Sequence, residues 1–244
     1  MSEEKAIALV TGGSGGIGAA CCRALGQSGF KVGIHYNRGK ELAEALSAEI
    51  PGSFLIQADI STVEGMDSIY DVLKKEHGGN IKILVNNAGV AIDNPIFSAS
   101  LDEFQKTMDI NLRSTWYLSK RLARFMIRKK TGRIINISSV VGSAGNAAQS
   151  VYGMSKAAID NFTKAASKEF AQYGILVNSV APGFIKTSMT ETIPEEFADI
   201  FMRQIPMGRM GTPEEVAEVV QFLAVSASYC TGAIFHVNGG MYGG

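Results

Sequence analysis

The chain carries no excess charge of either sign: 23 Lys and Arg are matched by 23 Asp and Glu. Without a net field, nothing electrostatic favours nucleic acid or an anionic membrane as the main partner, and only a local basic patch could meet an acidic carrier protein. Cysteine is scarce. Cys21, Cys22 and Cys230 are odd in number and form no C-x-x-C pair, which argues against a disulfide framework and for thiols in a reducing compartment. His35, His77 and His236 lie too far apart for ligand spacing, so no catalytic metal is expected. No apolar run reaches spanning length, and Met1-Ser2-Glu3-Glu4-Lys5 lacks the features of a signal peptide. A soluble, cytoplasmic protein with no membrane partner is the expectation.

What is present is enough apolar material, 46% of 244 residues, for one domain with a full core spanning 1–244. Short runs rich in Val and Ile alternate with amphipathic segments. Ala6–Val10, Lys31–Tyr36, Ser53–Gln57, Lys82–Val85, Arg133–Ser138, Leu176–Ala181 and Ile234–Val237 read as strands. Seven strands separated by helical stretches predict an α/β fold, a Rossmann-type doubly wound parallel sheet with helices on both faces. Ser61 or Thr62 can cap a helix from Val63 to His77. Ser100 with Glu103 forms a capping box, and Thr212-Pro213-Glu214-Glu215 supplies a cap, a first-turn proline and first-turn acids. Gly142–Gly145 reads as a loop beside the site. The segment 186–209 interrupts the rhythm with Pro194, Pro206 and three methionines, and reads as a substrate-covering insertion. Its methionines, with Phe197 and Phe201, suit an acyl chain or ordinary packing equally.

Thr11-Gly12-Gly13-Ser14-Gly15-Gly16-Ile17-Gly18 follows the first strand and opens the first helix. Backbone N–H groups at a helix N-terminus, approached closely where Cβ is absent, hold a pyrophosphate. A plain turn needs one or two glycines; this one has five. The end of the second strand discriminates between dinucleotides. An acid there would accept from a ribose 2′-OH, whereas a base would pair a 2′-phosphate. His35-Tyr36-Asn37-Arg38 contains no acid, which points to NADP(H) with Arg38 as phosphate partner and Asn37 assisting. Asp59 suits an adenine edge through its carboxylate or the adjacent Ile60 N–H.

Tyr152 and Lys156 stand at i and i+4 of a helix continuing through Phe162, Ala166 and Phe170, so phenol and ammonium share a face. A free tyrosine, with pKa about 10, is a poor proton donor at neutral pH, and a neighbouring ammonium favours its phenolate. Ser139, just past the fifth strand, could hydrogen-bond a substrate carbonyl. The pair alone is weak; its weight comes from occurring after a phosphate loop and a strand-end serine.

With Asn86-Asn87-Ala88-Gly89, Asn111, Ile137-Ser138-Ser139, Tyr152-x-x-x-Lys156 and Pro182-Gly183, the whole chain resembles the short-chain dehydrogenase/reductase family. That resemblance implies a tetrad. Asn111 positions a water beside the lysine, and Ser139 polarises the carbonyl. Tyr152 is the acid/base, and Lys156 tunes Tyr152 and holds the nicotinamide ribose. It also implies that Asn87, Ala88 and Gly89 lie along the cofactor, and that Ile185 and Thr187, after Pro182-Gly183, contact the carboxamide. Within the family the chain is most similar to bacterial β-ketoacyl-acyl carrier protein reductases, through Gly132–Ile135, Ser139–Gly142, Val180–Ile185 and His236–Tyr242. The resemblance implies reduction of a 3-oxoacyl thioester in fatty acid biosynthesis, a carrier-borne substrate and a homotetramer. Three positions depart from it. Gly15 stands where a loop arginine is usual, Gln172-Tyr173 where an arginine is frequent, and Val90-Ala91-Ile92-Asp93 where Thr-Arg-Asp is common. Arg128-Lys129-Lys130 fits either a carrier contact or a helix end complemented by cations. The rival readings are an acetoacetyl-CoA or other short-chain carbonyl reductase, and a catalytically silent NADP sensor or scaffold.

Overall fold

A computed structural model describes residues 5–187 and 202–243. Seven parallel strands, β1 (Ile7–Val10), β2 (Lys31–Tyr36), β3 (Phe54–Gln57), β4 (Ile81–Asn86), β5 (Gly132–Ile137), β6 (Ile175–Pro182) and β7 (Ile234–Val237), form one sheet in the order β3-β2-β1-β4-β5-β6-β7. The inner strands β1, β2, β4, β5 and β6 are buried on both faces, which is why they read as largely apolar runs instead of alternating ones, while the edge strands β3 and β7 are partly exposed. One core packs α1 (Gly16–Gln27), α2 (Lys40–Glu49) and α8 (Pro213–Val225) on the sheet through Leu25, Ile34, Val85 and Val220. The other packs α3 (Val63–Lys75), α5 (Ser114–Lys129) and α7 (Ser150–Phe170) through Leu9, Met66, Leu84 and Leu122. The expected doubly wound architecture is therefore present. No helix among the described residues is long and apolar enough to cross a membrane.

The capping signals act as anticipated. Thr62 accepts from Gly65 N–H, while Ser100–Glu103 and Thr212–Glu215 close capping boxes on α4 (Leu101–Met108) and α8. Two local readings need correction. Gly142–Gly145 is no open loop: Val141–Ala144 forms a helical turn, α6, because its glycine can approach α7 closely. A Cβ on Gly142 would lie 2.9 Å from Ala157 N and 3.0 Å from the Lys156 carbonyl carbon. The helix after Thr62 ends at Lys75, short of His77. Between α4 and α5 the chain runs through a π turn, Asp109–Arg113, which carries Asn111. The basic run 128–130 closes α5, with Lys130 as its left-handed C-cap and Lys129 donating to Asn80. Of the expected covering segment, residues 188–201, with Pro194, Phe197 and Phe201, lie outside the described residues.

Neighbours of β1 are β2 on one side and β4 on the other, so the connection direction reverses there and a crevice opens beyond the strand ends. Asn86 donates to Asn136 at 2.8 Å and to Ser119 at 3.0 Å, and Asn136 donates to Thr163 at 2.8 Å. This buried amide network fixes β4 and β5 against α5 and α7, the elements that carry the chemistry.

Candidate active site

A cavity of 410 Å³ occupies that crevice. Its walls include Gly12, Gly15, Gly16, Ile17, Asn37, Asp59, Ile60, Asn87, Ala88, Gly89, Ser139, Tyr152, Lys156, Pro182, Gly183, Ile185 and Thr187. Most residues singled out in the sequence thus meet in one place. Thr11, Ser14, Gly18, Arg38 and Asn111 are not in its walls, and each has a describable position.

Thr11 and Gly18 build the loop from behind. The buried Thr11 hydroxyl accepts from the N–H groups of Asn87 at 3.0 Å and Ala88 at 3.1 Å, and the Asn87 amide donates to the carbonyls of Thr11 and Gly12 at 2.9 and 3.0 Å. Gly18 lets the first helical turn lie against this lock, since a Cβ there would stand 2.1 Å from Gly12 O. Gly12 and Gly16 have φ of +61° and +51°, a region costly for other residues. The N–H groups of Thr11, Gly12 and Gly13 are spent inward, on Val85 O, His35 Nδ1 and His35 O. Among the described residues, those from Ser14 to Gly18 have no backbone acceptor. Unsatisfied N–H groups at a helix start form an anion site, so this cleft fits a pyrophosphate.

At the far end of the cleft Asn37 faces the cavity, whereas Arg38 is exposed beside it and near enough to Asp59 to help lower that carboxyl's pKa. The larger causes there are the Ser61 hydroxyl and N–H, the latter at 2.9 Å from Oδ1. Asp59 is thereby committed to turning its own chain.

At the reaction end, β5 delivers Ser139 and α7 delivers Tyr152 and Lys156. The Ser139 hydroxyl lies near enough to the Tyr152 phenol to influence its proton affinity. Lys156 Nζ lies 5.5 Å from the Tyr152 ring centre and donates to Ile137 O at 2.8 Å. The expectation that the lysine lowers the phenol's pKa does not hold among the protein groups alone. Burial raises it, Ser139 opposes, and Asp93 adds to the rise. The physical reason is that the ammonium is aimed at a backbone carbonyl. It also pays for its own burial, which brings it down to about 8 against the upward pull of Asp160. Lys156 is therefore cationic below about pH 8 and loses its charge as pH rises through that value. Reduction catalysed with a charged lysine should accordingly decline above about pH 8, measured as kcat/KM against pH; a profile flat to about pH 10 would exclude a role for that charge.

Asn111 is fully buried, and Gly89 stands between it and the lysine: a Cβ on Gly89 would lie 3.2 Å from Asn111 Oδ1 and 3.5 Å from Lys156 Nζ. Its Oδ1 accepts from Val90 N–H at 2.8 Å, and its Nδ2 donates to Val90 O and to Ser155 Oγ, both at 3.0 Å. Ser155 in turn donates to Tyr152 O at 2.7 Å. Asn111 therefore clamps the strand end after Gly89 to the turn of α7 bearing the tyrosine. The π turn supplies the offset that brings an α4–α5 residue into this gap, a common use of such turns. Pro182 ends β6, and Gly183 permits close passage of β7, a Cβ there meeting that of Asn238 at 2.7 Å. Thr187 sits over the loop, 3.3 Å from where a Gly16 Cβ would be.

Sequence reasoning passed over four contributors. Ile137 supplies the lysine's acceptor, Ser155 links Asn111 to Tyr152, and Gly142 lets α6 seat α7. His35 lines the cavity, where the sequence offered it only as a non-acidic member of the strand end and a histidine without metal spacing. A polar residue following the apolar Val32–Ile34 stretch, one short of the strand end, was the available signal.

Residues 12–242 match the family model described as enoyl-(acyl carrier protein) reductase. The chain is 42% identical to the 3-oxoacyl-[acyl-carrier-protein] reductase FabG of Vibrio cholerae, over 99% of each chain. It is 43% identical to that of Salmonella typhimurium, also over 99% of each, and 40% identical to the Synechocystis 3-oxoacyl-[acyl-carrier-protein] reductase, over 96% of each. The crystal structure of gox2181 superposes with a TM-score of 0.93 at 33% identity, covering 98% of this chain and 96% of the other. With sheet order, loop and Ser–Tyr–Lys cluster in place and relatives matched end to end, the chain belongs to the short-chain dehydrogenase/reductase family of oxidoreductases.

Proposed function

We propose that this enzyme reduces the C3 carbonyl of a 3-oxoacyl thioester, carried on acyl carrier protein, to the hydroxyl with NADPH. The observation that supports it most is the placing of Ser139, Tyr152 and Lys156 together in the wall of a cleft fitted to a dinucleotide. The bound nicotinamide supplies the hydride. Ser139 and Tyr152 donate to the oxygen on which negative charge develops, and Tyr152 passes its phenolic proton to it. Lys156 holds positive charge behind the phenol and has donors to spare for the nicotinamide ribose. Asn111 acts through Val90 and Ser155. The loop from Ser14 to Gly18 holds the pyrophosphate, Ile60 N–H meets the adenine, and Ile185 and Thr187 border the carboxamide. The same reading makes the protein a homotetramer acting in fatty acid biosynthesis; the relatives' names say of them that they are 3-oxoacyl-[acyl-carrier-protein] reductases.

The name of the matched family model favours a second reading, reduction of the enoyl double bond. NADPH oxidation with matched 3-oxoacyl and enoyl thioesters, each on carrier protein and on CoA, and with simple ketones, separates them. Turnover of the 3-oxoacyl carrier thioester is expected. No turnover of any 3-oxo thioester sinks the proposal, and turnover of the enoyl thioester alone installs the rival.

Preference for NADPH rests on Arg38 without a loop arginine. Gly15 has extended backbone, φ −157°, and a Cβ there meets no atom within 4 Å. Gly15→Arg should therefore be accommodated and tighten NADPH about tenfold by a charge-assisted contact, leaving NADH nearly unchanged, while Arg38→Ala should weaken NADPH by a similar factor. Calorimetric titration of both dinucleotides checks this; equal affinity for NADPH and NADH in the unmutated protein would overturn the preference.

A further inference from the structure

We propose that His35, a residue with no assigned part in the reaction, is a positioning residue for the dinucleotide. It acts as a neutral, Nε2-protonated bridge between the glycine loop and the chain that borders the adenine. This inference rests on the cofactor reading above.

Two contacts define the bridge. Nε2 lies 3.1 Å from Ala58 O, a group that only accepts, so the ring proton sits on Nε2. Nδ1 is then a lone pair, and it receives the Gly12 N–H at 3.1 Å. The ring is 1% exposed, and burial pulls its pKa down to about 4, with Ala58 and the Asp59 carboxylate opposing; it stays neutral at physiological pH. A proton on Nδ1 would oppose the Gly12 N–H directly.

The consequence for binding lies in which N–H groups remain available. His35 takes two successive donors from the loop: Gly12 by its side chain, and Gly13 by its backbone carbonyl at 2.8 Å. Turning these two inward directs the next stretch, Ser14 to Gly18, toward the cleft. The other edge of the ring holds Ala58, the residue before Asp59 and Ile60 in the cavity wall. One side chain at the end of β2 thereby sets the spacing between pyrophosphate and adenine subsites. Gly12, at φ +61°, is held at its carbonyl by the Asn87 amide, and the imidazole adds the restraint at its N–H.

Three variants and one spectrum test this on the full-length protein. Asn places Oδ1 where Nδ1 stands and keeps the Gly12 acceptor. Gln reaches toward Ala58 with a donor, and Leu keeps volume without either bond. By calorimetry, His35→Leu should raise the dinucleotide Kd about tenfold or more, His35→Gln by a comparable factor, and His35→Asn by no more than about threefold. In steady-state kinetics the loss should fall mainly on KM for the dinucleotide, the change in kcat being the smaller of the two. Nitrogen chemical shifts of the imidazole at neutral pH should report the Nε2–H tautomer. If His35→Leu does not fold, the comparison of Asn with Gln still decides. Equal affinities in Asn and Gln, a Gln variant tighter than Asn, or an Nδ1–H or doubly protonated ring would overturn the inference. Failure of the unmutated protein to bind either dinucleotide would instead refute the cofactor reading.

Discussion

Tyr152→Phe is expected to lower kcat by ~10³-fold, within the range that removal of a positioned general acid produces, while leaving the dinucleotide Kd within about threefold. The ring's packing survives in Phe, and only the phenolic hydroxyl near Ser139 is lost. Hydride arriving at a carbonyl without a proton donor leaves an alkoxide, and a single serine hydroxyl in a buried site cannot supply the proton economically. Single-turnover NADPH oxidation checks the size of the effect. Unchanged turnover would remove Tyr152 from the mechanism and revive the reading of the fold as a nucleotide-binding scaffold.

The second large effect should come from Gly18→Ala, a change of one methyl group. The new Cβ would lie 2.1 Å from Gly12 O and 2.6 Å from the Asn87 amide nitrogen. Neither neighbour can yield freely. Gly12 O accepts from the Asn87 amide, and that amide also donates to Thr11 O. Relief requires α1 to move away from the loop, taking with it the N–H groups at the helix start. Overpacking of this kind costs about 1–3 kcal/mol, which for a chain of this size corresponds to a melting shift of roughly 2–12 °C. A rise in dinucleotide Kd of at least about tenfold should accompany it, since the anion site is the element displaced. Thermal denaturation together with calorimetry tests both halves. A variant with unaltered melting temperature and affinity would show that the loop is not held by this contact.

These two residues differ in how far their roles were legible. The Tyr152/Lys156 pairing follows from helical periodicity, since four residues make about one turn wherever a helix forms. Gly18 was legible as part of a glycine-rich turn, but its particular duty was not. That duty depends on a carbonyl six residues back and the Asn87 amide just past β4, and only the folded chain sets their separation. Lys156 shows the same division more sharply. Its type and spacing foretold a cation near the phenol, yet the lysine is turned to Ile137 O and the phenol's own burial pushes its pKa up. Asn111 was named through resemblance, and its bonds to Val90 and Ser155 assign it a clamp's task.

What the sequence determined alone is everything governed by short-range rules. Strand and helix types follow from periodicity, helix starts from capping side chains, the phosphate loop from glycine spacing, and the fold class from the alternation of strand and helix. The tertiary structure decided which way each polar group is turned. His35 is the plainest case: in the sequence it is an isolated histidine, and its two partners lie 23 residues away in opposite directions. Parallel pairing of β2 with both β1 and β3 carries the glycine loop and the Ala58 carbonyl to its two nitrogens. Hydrogen-bond partners, burial and proton affinity depend on strand register and layer packing, so they exist only once distant segments have met.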